Sequence, residues 1–236
     1  KWICQVTINM ADDDELLMLA AQAGCKGVFV GFESPTEEGL AEVGKKFNIL
    51  KGRDFRASVG RIQRSNICVV GSFIMGLDTD ERGIGKRIAD AAERYGVDLL
   101  NVLFLTPLPG TRLWDRMKSQ GRIAAYSLPE DWRYFTLTFP VARYKHLSWA
   151  GILQEMDACD RRFYSLPRIL HRIWSSLWRR RGPLFVTVGN LSFRHNLRTA
   201  RSLHRKADVS RAQPLDLPAR AKSSGGTLNR KIAPGS

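Results

Sequence analysis

The sequence predicts an α/β fold: a partial (β/α) barrel of four parallel βα units with a carboxyl-terminal helical extension. Two observations carry this. Four short apolar strands each end in a polar or glycine-rich tip, and helical patterns separate them, which is how a βα barrel gathers residues at the carboxyl ends of its strands. The strands are also nearly all apolar rather than alternating, as expected when both faces of a parallel sheet are buried.

The first strand is Trp2–Ile8, ending in Asn9. The run Asp12-Asp13-Asp14-Glu15 then supplies capping oxygens and negative charge for a helix, which Gly24 ends. The second strand is Val28–Gly31, tipped by Phe32-Glu33-Ser34. Ser34-Pro35 opens a helix with Glu37 and Glu38 in its first turn, and Lys45–Gly52 reads as a loop. Asp54 caps a helix reaching about Arg64, and the third strand, Ile67–Met75, ends in Gly76-Leu77-Asp78. Glu81–Tyr95 is a helix with Ile84, Ile88, Ala91 and Ala92 inward. The fourth strand, Asn101–Leu105, ends in Thr106-Pro107-Leu108-Pro109-Gly110-Thr111, and Thr111 starts the next helix. All four tips should meet at one mouth, with the helices on one side of the sheet. Only four strands would leave an edge open. Further strands upstream of Lys1 would close it, so the chain reads as the carboxyl-terminal part of a larger protein.

Past Gly121 the rhythm changes. Asp131–Val141 reads as extended, while Ser148–Phe163 and Pro167–Arg181 read as helices. From about Ala207 the composition is polar and rich in Pro, Ser, Gly, Lys and Arg, as in disordered segments. The expected organisation is therefore 1–120 for the βα part, 121–206 for a basic helical extension and 207–236 for a disordered tail.

Charge is unevenly divided along the 236 residues. The chain carries +14 overall, yet residues 1–160 hold 20 Lys and Arg against 21 Asp and Glu, whereas residues 161–236 hold 17 against 2. Cys4, Cys25, Cys68 and Cys159 lie too far apart for a close-spaced metal pattern, and this usage suits a reducing, cytoplasmic compartment. No apolar run reaches the ~18 residues of a membrane span.

Several tips hold candidate ligand groups. Glu33 and Ser34 can hydrogen-bond hydroxyls or an ammonium, although Ser34 equally reads as a helix cap. In Gly71-Ser72-Phe73-Ile74-Met75-Gly76 the glycines allow a flat ligand or another backbone to come close, and Ile74 offers an apolar surface. A bulge for curvature explains the same glycines. Leu105 and Thr106 precede a turn stiffened by Pro107 and Pro109. Gln5 and Asn9, four apart on the first strand, share a face and either address a ligand or satisfy polar neighbours.

Together and in this order, these segments resemble the radical S-adenosylmethionine superfamily, and within it the large class with an upstream cobalamin-binding domain. The resemblance covers about residues 1–145, and more weakly the helices to Arg181. It implies cleavage of S-adenosylmethionine by a 4Fe-4S cluster to a 5′-deoxyadenosyl radical, with cobalamin as a further cofactor in an upstream domain. Glu33 and Ser34 would meet the ribose and methionine part. Gly71, Ile74 and Gly76 match the glycine motif that packs on adenine, and Leu105 and Thr106 lie where the next strand meets adenine. The family's three-cysteine cluster loop and its glycine-glycine-glutamate segment are absent. The resemblance thus implies part of a cofactor pocket, in a parent that methylates or rearranges an unactivated carbon of an apolar, lipid-like metabolite. Two alternatives stay open: a degenerate, non-enzymatic binding or membrane-associated module, and an RNA-modifying member of the superfamily.

The Pro167–Arg181 segment sets Trp174, Trp178 and four aliphatic residues on one face, with Arg residues elsewhere. This is the composition of a helix lying at the inner membrane face, and equally of a helix packed on the barrel with a solvated basic side. Nucleic acid contact through Arg194, Arg198, Arg201, Arg205 and Lys206 is the third and weakest reading of the tail, since no nucleic-acid-binding fold is recognisable.

Overall fold

The computed structural model describes residues 1–45, 52–124, 129–178 and 182–206. The expected 207–236 tail, most of the 45–52 loop and the last three residues of the Pro167–Arg181 helix lie outside them.

Four strands form one sheet in the order β1-β2-β3-β4: β1 Trp2–Val6, β2 Cys25–Glu33, β3 Cys68–Met75 and β4 Leu99–Phe104. All neighbours pair in parallel, so every strand ends at the same edge. Helices α1 (Asp14–Gln22), α2 (Glu37–Glu42), α3 (Phe55–Arg64), α4 (Ile84–Tyr95) and α5 (Arg112–Ser119) alternate with the strands. Local chemistry starts most of them. Asp13, Thr36, Asp54 and Thr111 each accept a first-turn N–H from Leu16, Gly39, Ala57 and Trp114. α4 has no such cap of its own. Instead, the Glu155 carboxylate of α6 (Trp149–Phe163) accepts from Gly83 N and Gly85 N, both at 2.9 Å. Gly85 also lets α6 approach closely, since a Cβ there would lie 2.0 Å from the Glu155 carbonyl oxygen.

Two more helices follow, α7 (Leu166–Trp178) and α8 (Pro183–Lys206). The sheet residues alternate between two apolar layers. Val28, Val30, Phe32, Val69, Phe73 and Leu100 join the main core with α1, α3, α4, α6 and α7. Cys68, Val70 and Leu99 face the other way and are covered by Val186 and Phe193 of α8. Helices therefore lie on both sides of the sheet, not on one. The 24-residue α8 supplies the second layer, where Gly189 brings it against Leu99.

The β4 edge is also covered. Tyr164 donates its hydroxyl to Leu100 O at 2.7 Å and accepts from Leu100 N at 3.0 Å, and Phe104 N donates to Leu137 O at 2.9 Å. Burial pushes the Tyr164 hydroxyl well above its ordinary pKa, so it stays a donor. Across from it, Arg172 lies buried on the Phe163 ring, bonded to Asn190, Phe163 O and Glu93.

Two further expectations are corrected. β1 stops at Val6, and Ile8–Asp12 is a 3-10 helix, so Asn9 does not share a strand face with Gln5. Asp131–Val141 is not extended: Glu130–Tyr134 is a 3-10 helix followed by turns that pack Phe135 and Val141 on Trp114.

Candidate functional site

The sheet register builds a strip of residues near the strand tips. Gly31 of β2 pairs with Ser72 of β3, and Ser72 pairs with Asn101 of β4. One pleat nearer the mouth, Ile74 pairs with Leu103. These side chains share the face that α8 covers lower down, where Phe29, Val70 and Leu99 form the row beneath. Gln5 extends the strip through its register with Phe29, and its side chain is exposed. Ser72, Ile74, Asn101 and Leu103 are half-buried. Among the described residues, neither the Ser72 hydroxyl nor the Asn101 amide has a hydrogen-bond partner. A hydroxyl and an amide between aliphatic side chains suit a flat heterocycle bearing polar substituents.

The rim beside this strip is held in an uncommon backbone conformation. Glu33 has φ 66°, in the left-handed region that a non-glycine residue rarely adopts. Lys45 holds it there, with Nζ 2.7 Å from Glu33 Oε1 and 3.0 Å from Gly31 O. A Cβ on Gly31 would crowd the same Glu33 oxygen, so glycine leaves room for the Glu33–Lys45 pair. Glu33 thus presents a carboxylate paired with an ammonium at the mouth. Ser34 does not cap α2, because Thr36 does. Its buried hydroxyl accepts from Thr36 N at 3.3 Å, inside the turn.

At the tip of β3 the backbone turns at Gly76, with φ 103°. A Cβ there would lie 2.4 Å from the Tyr144 ring, so this glycine makes room for a side chain of the extension. Tyr144 in turn donates to Leu105 O at 3.3 Å, while Thr106 donates its hydroxyl to Phe104 O at 3.0 Å. The turn is tied from below by Asp80, whose Oδ2 accepts from Gly76 N at 2.8 Å and Leu77 N at 3.0 Å. Burial pushes the Asp80 carboxyl up to about 6, against the pull of those two N–H groups. The outer loop is pinned by Glu42, which accepts from Asp78 N and Thr79 N. Burial works against the charge on Asp78, but Arg122 at 2.6 Å and Lys145 at 2.8 Å outweigh it and hold its carboxyl below the ordinary value. Leu105 opens onto a small cleft of about 290 Å³ with Glu42, Leu77 and Arg116.

The structure therefore gathers Gln5 and Ile74 on one face, with Glu33 at its rim. Gly76, Leu105 and Thr106 collect around Tyr144 at the tips. Gly71 belongs to the opposite face, where a Cβ would meet Val97 at 3.0 Å and Phe32 at 3.4 Å. Asn9 is exposed in the 3-10 helix. Ser72, Asn101, Leu103 and Lys45 belong to the site and were not singled out from the sequence. Ser72, Asn101 and Leu103 could have been found by counting alternate positions back from each tip. Lys45 left no such signal.

The thiols do not fit an iron–sulfur cluster. Cys25, Cys68 and Cys159 are buried, which pushes each thiol up, and Cys4 is half-buried. Among the described residues no group of three or more His, Cys, Asp or Glu could hold a metal ion. A larger cleft, about 460 Å³, lies at the opposite end of the sheet, lined by Arg56, Arg64, Asp98 and His171, away from the strand tips.

No protein-family model matches the chain. It is 34% identical over 119 residues to an uncharacterized methyltransferase of Synechocystis, matching 50% of this chain and 22% of that protein. It is 34% identical over 120 residues to the hopanoid C-2 methylase of Rhodopseudomonas palustris, covering 51% of this chain and 22% of the relative. A bacteriochlorophyllide d C-12(1)-methyltransferase of Chlorobaculum tepidum matches 73% of the chain and 36% of its own length, at 25% identity over 173 residues. The chain thus spans between about a fifth and a third of the length of these relatives, and its similarity is to methyltransferases.

Proposed function

We propose that this chain forms one wall of the S-adenosylmethionine pocket of a radical S-adenosylmethionine enzyme. Its four βα units read as part of a βα barrel, followed by the extension of the cobalamin-associated class. The observation that carries the reading is the in-register strip Gly31–Ser72–Asn101 with Ile74 and Leu103 above it. Ser72 and Asn101 supply hydrogen bonds, Ile74 and Leu103 supply an apolar bed for adenine, and Glu33 with Lys45 supplies paired charge for the amino-acid end. Gly71 and Gly76 serve packing in this reading, and Leu105 and Thr106 close the tip around Tyr144. When bound, S-adenosylmethionine supplies a methyl group or a deoxyadenosyl radical. The cluster that generates that radical is assigned to no residue of this chain, since its thiols do not fit one.

Methylation or rearrangement of an unactivated carbon on an apolar metabolite is the reaction class supported best. The similar proteins are named for hopanoid, bacteriochlorophyllide and, in Cereibacter sphaeroides, magnesium-protoporphyrin monomethyl ester substrates. Amide-resolved NMR of the 236-residue chain tests the pocket. Titration with S-adenosylmethionine should shift Gly31, Ser72, Ile74 and Asn101 and leave the cleft at Arg56 and Arg64 unmoved. Shifts confined to that distant cleft, or none at all, would overturn the assignment.

A further inference from the structure

Among the described residues, the last two helices leave an apolar surface uncovered. On α7, Leu166, Leu170, Trp174, Leu177 and Trp178 are 54, 63, 67, 52 and 80% exposed. Their spacing places them on one stripe, opposite the buried Ile169, Arg172 and Ser176. On α8, Leu184, Val188 and Leu191 are 77, 57 and 50% exposed and recur at three- and four-residue intervals, opposite Val186, Asn190 and Phe193. The two helices run antiparallel. Arg172 bonds Asn190 midway, and only residues 179–182 separate Trp178 from Pro183. Leu177, Trp178 and Leu184 therefore lie at the end of the hairpin where α7 stops and α8 starts, with Trp174 and Val188 about one turn further in on its outward sides.

Cations lie beside that end. Leu184 and Val188 line a cleft shared with Lys1 and Lys26. The cleft beside the second half of α7 carries exposed Arg56 and Arg64 with His171 at its surface, and Asp54, Glu93 and Asp98 line it too. The sequence between the helices is Arg179-Arg180-Arg181-Gly182. Exposed indoles and aliphatic side chains ringed by Lys and Arg match the chemistry of an anionic lipid surface, with apolar groups at the acyl boundary and cations among the headgroups. Among the described residues no helix is long and apolar enough to cross a membrane.

We propose that the closed end of the α7–α8 hairpin docks on an anionic bilayer through Trp174, Trp178, Leu184 and Val188. This holds independently of the chemistry at the strand tips. It also sets an orientation: the docking end lies where the strands begin, so the mouth points away from the bilayer. A lipid-like substrate then has to leave the membrane plane to reach it.

The test is co-sedimentation of the 236-residue chain with vesicles of phosphatidylcholine, alone and mixed with phosphatidylglycerol. Binding should appear on the mixed vesicles and fall with added salt, because the Debye length shrinks from ~10 Å at 0.1 M to ~3 Å at 1 M. The pair Trp174→Ser and Trp178→Ser, and separately Leu184→Ser with Val188→Ser, should each weaken it by at least about tenfold with unchanged melting temperature. Trp132→Ser, an exposed indole elsewhere, should leave binding unchanged. Equal binding to phosphatidylcholine alone, no binding at all, or loss through Trp132→Ser to the same degree would overturn the proposal. A melting temperature lowered by the Trp pair would overturn it by showing those rings packed. So would a vesicle-free dimer in sedimentation velocity that the same pair dissolves, since the face would then belong to a second copy.

Discussion

Asp80 offers a quantitative handle on the tip of β3. Its carboxylate is buried under Gly76 and Leu77 and accepts both backbone N–H groups through one oxygen. Its folded pKa, about 6, stands above the reference value of 3.8. Because the folded value is raised, the native state binds the extra proton. Stability from this group is therefore present in acid and is lost as the pH rises through about 6. Between pH 8 and pH 5 the proton gained by the native state amounts to about 1.4 kcal/mol, roughly tenfold in the folding constant. Asp80→Asn keeps an oxygen for the two N–H groups and removes the titration. Urea unfolding of both proteins at the two pH values gives a double difference from which the other titrating groups cancel. The variant should lose about 1.4 kcal/mol more, relative to wild type, at pH 5 than at pH 8. An equal effect at both values would show that Asp80 titrates normally and that the Gly76–Leu77 turn is not sealed from water.

Further substitutions probe the supports of the site. Tyr164→Phe strips both hydrogen bonds from Leu100 at the β4 edge and should cost about 2–3 kcal/mol in urea unfolding; a loss under about 0.5 kcal/mol would mean water replaces the hydroxyl. Gly85→Ala forces α4 and α6 apart at a backbone contact and should cost at least about 2 kcal/mol, read from the same curves. Arg122→Met removes the main partner of Asp78, so the carboxyl should titrate at a higher pH in carbon-detected NMR, with Lys145 alone left to hold it down.

Much of this architecture was legible because it rests on local rules. Parallel strands buried on both faces read as unbroken apolar runs, and Asp13, Asp54 and Thr111 marked where their helices start. What escaped depends on distant contacts. Gly71 looked like a ligand-facing glycine, yet Val97 and Phe32 decide its face. Gly76 looked like a place for a ring, and the ring beside it is Tyr144, from 68 residues later in the chain. The aromatic run after Asp131 suggested a strand, whereas its rings pack among themselves and on Trp114 through turns. Within the basic tail, α8 had no acidic first turn to mark its start, and it is held by Asn190, Phe193 and a close approach at Gly189. Attention to strand tips also hid Ser72 and Asn101, which only the register brings side by side.

The central claim is that this strip of sheet receives S-adenosylmethionine. Equilibrium dialysis of radiolabelled S-adenosylmethionine against the 236-residue chain tests it most directly, with Asn101→Leu and Ser72→Val as the perturbations. Both replacements put an apolar residue into the strand and delete the polar group that would meet the ligand. The account predicts retention by the wild-type chain and at least about tenfold weaker retention by each variant, as expected when a ligand hydrogen bond is lost in a half-buried site. Undiminished retention by both variants, or none by the wild-type chain, would contradict it.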